Sequence, residues 1–145
     1  FLEFVHDIDL SFLKEDKQLD EQIEKIKGKK LIFTNGSLAH AKNVTKRLGI
    51  ERYFDGIFDI VSADFIPKPS IETYKKIIKE YKIEPQYSIF IEDIARNLKP
   101  AHELGMKTVW IINDEPWAAE FSNSNFIDYK TNKLSKFLKE INESR

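Results

Sequence analysis

Short apolar runs of strand character alternate along this chain with amphipathic helical stretches, and that order leaves few architectures open. Leu31-Ile32-Phe33, Ile57 to Val61, Ser88 to Ile91 and Thr108 to Ile112 read as strands, with Phe126 to Tyr129 as a short edge strand. Between them, Leu19, Ile23 and Ile26 share one helical face, as do Leu38, Ala41, Val44 and Leu48. Ile71, Tyr74, Ile77, Ile78 and Tyr81 give the clearest helical period, from a start near Ser70, and Leu134, Phe137, Leu138 and Ile141 predict a final helix. Gly28, Gly49 and Gly105 stand where helices should stop. Strand, helix, strand, helix, repeated, predicts an α/β fold: a Rossmann-like parallel sheet with helices on both faces.

At 145 residues the chain fits one domain, residues 1–145, with a single core. The formal net charge of -1 gives no basic field for a nucleic acid polymer. The one basic run, Lys25-Ile26-Lys27-Gly28-Lys29-Lys30, ends a predicted helix, where cations suit the dipole. Cysteine is absent, which excludes disulfides and thiolate metal sites and is compatible with a reducing compartment. No apolar run is long enough to span a bilayer, so no membrane partner is expected and cytoplasmic is the default location. Oligomeric state is not readable. Met106 is the only methionine and Phe1 is large, so the chain reads as a piece of something longer.

In an open parallel sheet, ligands bind outside the carboxyl ends of the strands. Three polar groups fall there. Thr34-Asn35-Gly36-Ser37 joins a strand to a helix, and it is either a phosphate cradle of hydroxyl, glycine and helix-start amides or a turn capped by Asn35 or Ser37. Lys68 stands between Pro67 and Pro69, as an aimed ammonium or as a surface lysine in a proline-rich turn. Glu92-Asp93 ends an apolar strand, and two adjacent carboxylates there need a cation or a proton, unless they cap the next helix. Asn97 reads as the cap of a helix from Leu98 to Leu104 with Pro100 in its first turn, or as a neighbour of a metal site. His40 could face the same edge but reads better as a packing or surface residue, and His6 and His102 have no ligand spacing.

Taken in order, Phe33-Thr34-Asn35-Gly36-Ser37, Pro67-Lys68-Pro69 and Phe90-Ile91-Glu92-Asp93 with Asn97 resemble motifs two, three and four of the haloacid-dehalogenase-like (HAD) hydrolase superfamily. Gly105 to Trp110 is similar to the strand that follows motif four, so the resemblance runs from about Lys30 to about Ile112. Thr34 to Ser37, Leu48 to Ile60 and Asn97-Leu98 most resemble the pyrimidine 5'-nucleotidase branch.

The resemblance implies hydrolysis of small phosphorylated substrates through an aspartyl-phosphate, with a second aspartate as general acid and base. Thr34 would bind the transferring phosphoryl group with the Asn35 and Gly36 backbone, and Lys68 would steady its charge. Glu92 and Asp93 would hold Mg2+, with Asn97 behind them. The first motif, Asp-x-Asp, should precede Thr34 together with a cap. Only Asp7-Ile8-Asp9 has its letters, after a poor strand and only about 24 residues before Thr34, so it is read as a decoy. Residues 1–17 instead resemble the segment returning from cap to core, which puts the nucleophile before Phe1 and leaves this chain inactive alone. A non-catalytic domain of the same fold, a dehalogenase and a phosphomutase are the alternatives. A receiver domain is disfavoured, because there the acidic pair comes first and the lysine last.

Overall fold

The computed structural model describes residues 14–144. The expected decoy Asp7-Asp9, His6 and all but the end of the expected return segment lie outside the described residues. Contacts divide the chain into two compact units, residues 1–65 with 137–145, and residues 66–136.

The first unit opens with helix α1 (Lys17–Lys25), capped by Asp16, whose carboxylate accepts from the Leu19 amide at 3.0 Å. The helix stops before Ile26, the last residue of its predicted apolar face, because Ile26 already takes extended backbone two residues before Gly28. Strand β1 (Leu31–Phe33) pairs in parallel with β2 (Gly56–Phe58), Ile32 opposite Ile57. Asp55 pins the entry to this pair: its amide donates to the Lys30 carbonyl (2.7 Å) and its carboxylate accepts from the Lys30 amide (2.8 Å). Phe33 and Phe58 meet edge to face at 5.5 Å, and Phe58 is fully buried. Between the strands, α2 (Leu38–Leu48) closes on Gly49, whose φ of +76° is the left-handed stop that a glycine allows.

Strand β2 ends three residues before the predicted Val61. At Asp59 the backbone turns, and the Ala63 amide donates back to the Asp59 carbonyl at 3.1 Å. A continuous apolar run hid this turn, because Phe58, Ile60 and Ala63 are buried on either side of it.

In the second unit, α3 (Ile71–Glu80) buries Tyr74 and Ile77, the centre of the predicted stripe. Strands β3 (Ile89–Glu92), β4 (Lys107–Ile111) and β5 (Tyr129–Thr131) form a parallel sheet in the order β3-β4-β5. The central strand is the driest, with Thr108, Val109 and Trp110 buried. Trp110 packs with Ala95, Leu98 and Phe126 into one apolar cluster. That packing corrects the predicted edge strand. Phe126 turns into the core, its carbonyl accepts from the Thr108 hydroxyl (2.6 Å), and pairing begins only at Tyr129. A short 3-10 turn, Ala95–Leu98, leads into α4 (Lys99–Glu103), and after β4 comes one helical turn, α5 (Pro116–Ala119). The final helix, α6 (Leu134–Glu143), appears where its stripe predicts. Among the described residues, no helix is long and apolar enough to cross a membrane.

Candidate active site

At the carboxyl end of β3, the Lys68 ammonium donates to Glu92 Oε2 at 2.7 Å, with only 6% of the lysine side chain and 9% of the glutamate side chain exposed. Lys68 and Glu92 are 24 residues apart in sequence, so the fold, not a local turn, makes this pair. Two devices set the lysine. Its ammonium lies 5.7 Å from the centre of the Phe90 ring, which Tyr74 braces edge-on at the same centroid distance of 5.7 Å. Behind it, the buried Thr73 hydroxyl donates to the Ile66 carbonyl (2.6 Å) and the Ser70 amide to the Pro67 carbonyl (3.1 Å), fixing the segment that enters α3.

Burial pushes the Glu92 carboxyl above the usual carboxylate range; the Lys68 ammonium pulls it down and the neighbouring Asp93 pushes it up. Its other oxygen accepts from the Asp93 and Ile94 amides at 3.2 and 3.4 Å. Asp93 itself is exposed. Its carbonyl accepts from the Trp110 indole (2.8 Å) and its carboxylate from the Asn113 amide (3.3 Å), and Asn113 Oδ1 in turn accepts from the Glu115 amide (3.1 Å).

Asn97 does not cap the following helix. It lies inside the turn before α4, where no side chain caps Leu98, and only 2% of it is exposed. Its carbonyl accepts from the buried Tyr74 hydroxyl, while its Oδ1 is buried with no hydrogen-bond partner. Pro100 does fall in the first turn of α4, as its missing amide proton allows.

Thr34, Asn35 and Gly36 belong to the first unit. The Thr34 amide donates to the Phe58 carbonyl (3.0 Å), continuing the β1–β2 ladder past its last pair. The Gly36 amide donates to Thr34 Oγ1 at 2.9 Å, so the hydroxyl and the glycine hold each other in a tight turn. Ser37 is the cap of α2, its hydroxyl accepting from the His40 amide at 3.1 Å.

Asp59 is the residue this region hides from a sequence reading, since it stands in the middle of an apolar run. It is 7% exposed, and its Oδ1 accepts from the Ser62 amide (3.0 Å) and the Ser62 hydroxyl (2.7 Å). Burial pushes its carboxyl up, but hydrogen bonds from Ser62, from its own amide and from the Leu38 amide outweigh this and hold it below the ordinary carboxylate range. A depressed value in the folded state means that Asp59 stabilises the fold above the unfolded carboxylate range, and that this contribution is lost as pH falls through the folded value. Asp59→Asn is therefore expected to be less stable than the parent at neutral pH and to converge with it in acid, read from urea unfolding midpoints between pH 7 and pH 3.

Asn113 and Thr73 also escape a sequence reading, because each acts through a partner that only the fold supplies. His102 Nδ1 lies 3.8 Å from Asp128 Oδ2, the oxygen that also accepts from the Thr108 amide.

Magnesium prefers hard oxygen donors and is commonly held by one or two carboxylates, with water and a substrate phosphate completing the shell. Asp93 and Glu92 supply such oxygens. Among the described residues no group of three or more His, Cys, Asp or Glu side chains gathers into an all-protein cage. The donor set fits an ion shared with a phosphate, and fits zinc poorly.

Comparison with known proteins gives the same direction. The family model for haloacid dehalogenase-like hydrolases matches residues 4–111. A glyceraldehyde 3-phosphate phosphatase of Methanocaldococcus jannaschii is 28% identical over 109 residues, covering 74% of this chain and 46% of the relative. Phosphate metabolism protein 8 of Saccharomyces cerevisiae is 31% identical over 150 aligned residues, covering 91% of this chain and 45% of the relative. The chain thus spans about half the length of the curated relatives it matches. Among solved structures, a HAD phosphatase from Thermococcus onnurineus superposes with a TM-score of 0.65 at 22% identity, covering 86% of this chain and 55% of that one.

Proposed function

Because the chain belongs to the haloacid dehalogenase-like hydrolase family, we propose that the protein is a phosphatase of small phosphate monoesters, nucleoside 5'-monophosphates among them, and that it uses magnesium. The observation that carries this reading is the buried Lys68–Glu92 pair beside the solvent-facing Asp93 at one strand end. A buried ammonium tied to a carboxylate by a 2.7 Å bond is a fixed positive charge, and phosphoryl transfer is mostly positioning and charge stabilisation. The phosphatase names of relatives support the reaction class. The nucleotide preference rests on the likeness of Thr34 to Ser37 and Leu48 to Ile60 to the pyrimidine 5'-nucleotidase branch.

In this reading an aspartate upstream of Phe1 attacks phosphorus, the ester P–O bond breaks, and the leaving oxygen takes a proton from a second upstream aspartate. Water then hydrolyses the acyl phosphate. Thr34 and the turn amides of Asn35 and Gly36 receive phosphoryl oxygens. Lys68 neutralises charge on the phosphoryl group while Glu92 holds the ammonium in place. Asp93, oriented by Asn113 and with Asn97 behind it, supplies carboxylate oxygen to the cation. Magnesium, when bound, supplies Lewis-acid stabilisation of the phosphoryl oxygens.

The test is phosphate release with magnesium from a panel of nucleoside 5'-monophosphates and sugar phosphates. These 145 residues are compared with a longer chain that carries the natural upstream sequence. Turnover is expected from the longer chain only, with nucleotides among the best substrates. A longer chain that releases no phosphate but removes chloride from 2-chloropropionate would overturn the reading in favour of a dehalogenase.

A further inference from the structure

The far end of α2 carries a positive face that no motif in the sequence announces. Lys42 and Lys46 stand one turn apart on this helix, as do Asn43 and Arg47, and it holds no Asp or Glu between Leu38 and Leu48. The segment before α1 brings a further cation to the same end. The Asp16 amide donates to the Leu48 carbonyl at 3.2 Å, and the Glu15 side chain lies so near Gly49 that a Cβ built there would meet it at 3.3 Å. Residues 14–16 are thereby fixed against the end of the helix. Lys14, Glu15, Asn43, Lys46 and Arg47 together line one recess of about 640 Å³.

Cations in the last turn of a helix ordinarily serve its free carbonyls. Here other groups do so. The Ile50 amide donates to the Thr45 carbonyl (3.0 Å), the Gly49 amide to the Lys46 carbonyl (3.1 Å), the Asp16 amide to Leu48, and the Arg52 guanidinium to the Gly49 carbonyl at 2.6 Å. Among the described residues, no side-chain hydrogen bond or ion pair engages Lys14, Lys46 or Arg47, although Lys25 is paired with Glu21 and Arg52 with Asp20 in the same unit. All three cations are exposed. Like charges gathered in this way repel one another until an anion joins them.

The lining sets three cations and an amide against one carboxylate, which suits an anion of two or more charges, and the recess has the volume of a small-molecule site. Arginine takes phosphate oxygens in pairs, and lysine acts on them as a point charge. α2 begins at its Ser37 cap, a helix length of about 16 Å away, so the recess is separate from the Thr34 to Ser37 turn. We propose that this recess is a second anion site, which binds a small molecule through a diphosphate or longer phosphate chain held by Lys14, Lys46 and Arg47. The inference does not rest on the phosphatase reading.

The experiment is a calorimetric titration of the natural full-length protein with methylenediphosphonate, whose bridging carbon resists hydrolysis. Chelator is present to remove divalent cations. Binding is expected, and it should weaken steeply as salt is raised. Lys46→Ala and Arg47→Ala are each expected to weaken it by about 10-fold. Glu15→Gln removes the one opposing charge and is expected to tighten it a few-fold, a gain that a purely structural role for these side chains would not produce. Thr34→Ala, at the other end of α2, is expected to bind the probe as the parent does. If the helix variants do not fold, Lys14→Ala and Glu15→Gln, which lie before α1, carry the test with opposite signs.

Equal affinity in the parent, Lys46→Ala and Arg47→Ala would overturn the proposal, as would the absence of binding at about 1 mM probe. Loss of the signal in Thr34→Ala would place the anion at the turn after β1 and overturn it too. So would equally tight binding of sulfate at matched ionic strength, since the recess would then be a cationic surface without preference for a phosphate chain.

Discussion

Lys68→Met is expected to lower stability by about 3–5 kcal/mol, the usual cost of stripping one partner from a buried ion pair, and Lys68→Met with Glu92→Gln is expected to recover most of that loss. Activity should return in neither. The reasoning starts from burial: with less than a tenth of either side chain exposed, water cannot take the place of the missing partner. Glu92 already titrates high because burial outweighs the pull of Lys68, and removing Lys68 removes that pull. A carboxyl whose folded value is raised gives its full stability below the unfolded carboxylate range and loses it as pH rises through the folded value. The deficit of Lys68→Met should therefore be smallest near pH 4 and grow toward neutrality, and the double variant should show a flat profile. Urea unfolding across that range checks both statements. Phosphate release by the longer chain should fall by about 10²–10³-fold in the single and the double variant alike. Recovery of activity in the double variant would mean that Lys68 serves the fold and not the reaction.

The same pair shows what a sequence yields and where it stops. Lys68 and Glu92-Asp93 are legible as candidates because strand ends and flanking prolines mark them, and Thr34 to Ser37 because a buried strand gives way to a helix there. That Lys68 and Glu92 are bonded to each other is not legible, since nothing local relates positions 24 apart. Asp59 is concealed for the opposite reason. Its neighbours Phe58 and Ile60 are buried, so the run looks like uninterrupted strand, and the turn that ends β2 depends on a side-chain bond to Ser62 that hydropathy does not encode. The stripe over 71–81 survives at its centre because burial on one face is what periodicity measures, as Tyr74 and Ile77 show. In the stripe over 38–48 Ala41 is buried, whereas Leu38 is exposed and Thr45 is buried instead. Asn97 misleads for a related reason. Asparagine before Leu-Lys-Pro has the chemistry of a cap, but packing of Ala95 and Leu98 under Trp110 draws the turn inward and takes Asn97 with it. The division of the chain into two contact units has no marker in composition, since the boundary at 65–66 falls between Phe and Ile, not in a flexible linker.

Asp93→Asn is expected to have the second large effect, and it should be confined to the metal. Asp93 is exposed and engages its surroundings through its carbonyl to Trp110 and a 3.3 Å bond from Asn113, so replacing one carboxylate oxygen by an amide leaves the β3–β4 packing untouched. Stability should change by no more than about 0.5 kcal/mol, as for other surface substitutions. The charge offered to magnesium, however, falls by one unit at a site where Glu92 is already engaged by Lys68. Lewis-acid assistance is worth several kcal/mol of transition-state stabilisation, and each 1.36 kcal/mol is tenfold in rate, so a loss of about 10³-fold in phosphate release at low magnesium is expected. Asn113→Ala removes only the group that orients Asp93, and a weakening of magnesium affinity by about 10-fold is expected, with full activity regained when the metal is raised. Magnesium titrations of the longer chain, alongside chelator treatment of the parent, separate the two. If Asp93→Asn keeps the parent's magnesium dependence, the cation is held elsewhere, and Glu92-Asp93 is an acidic strand end whose charge is balanced by Lys68 alone.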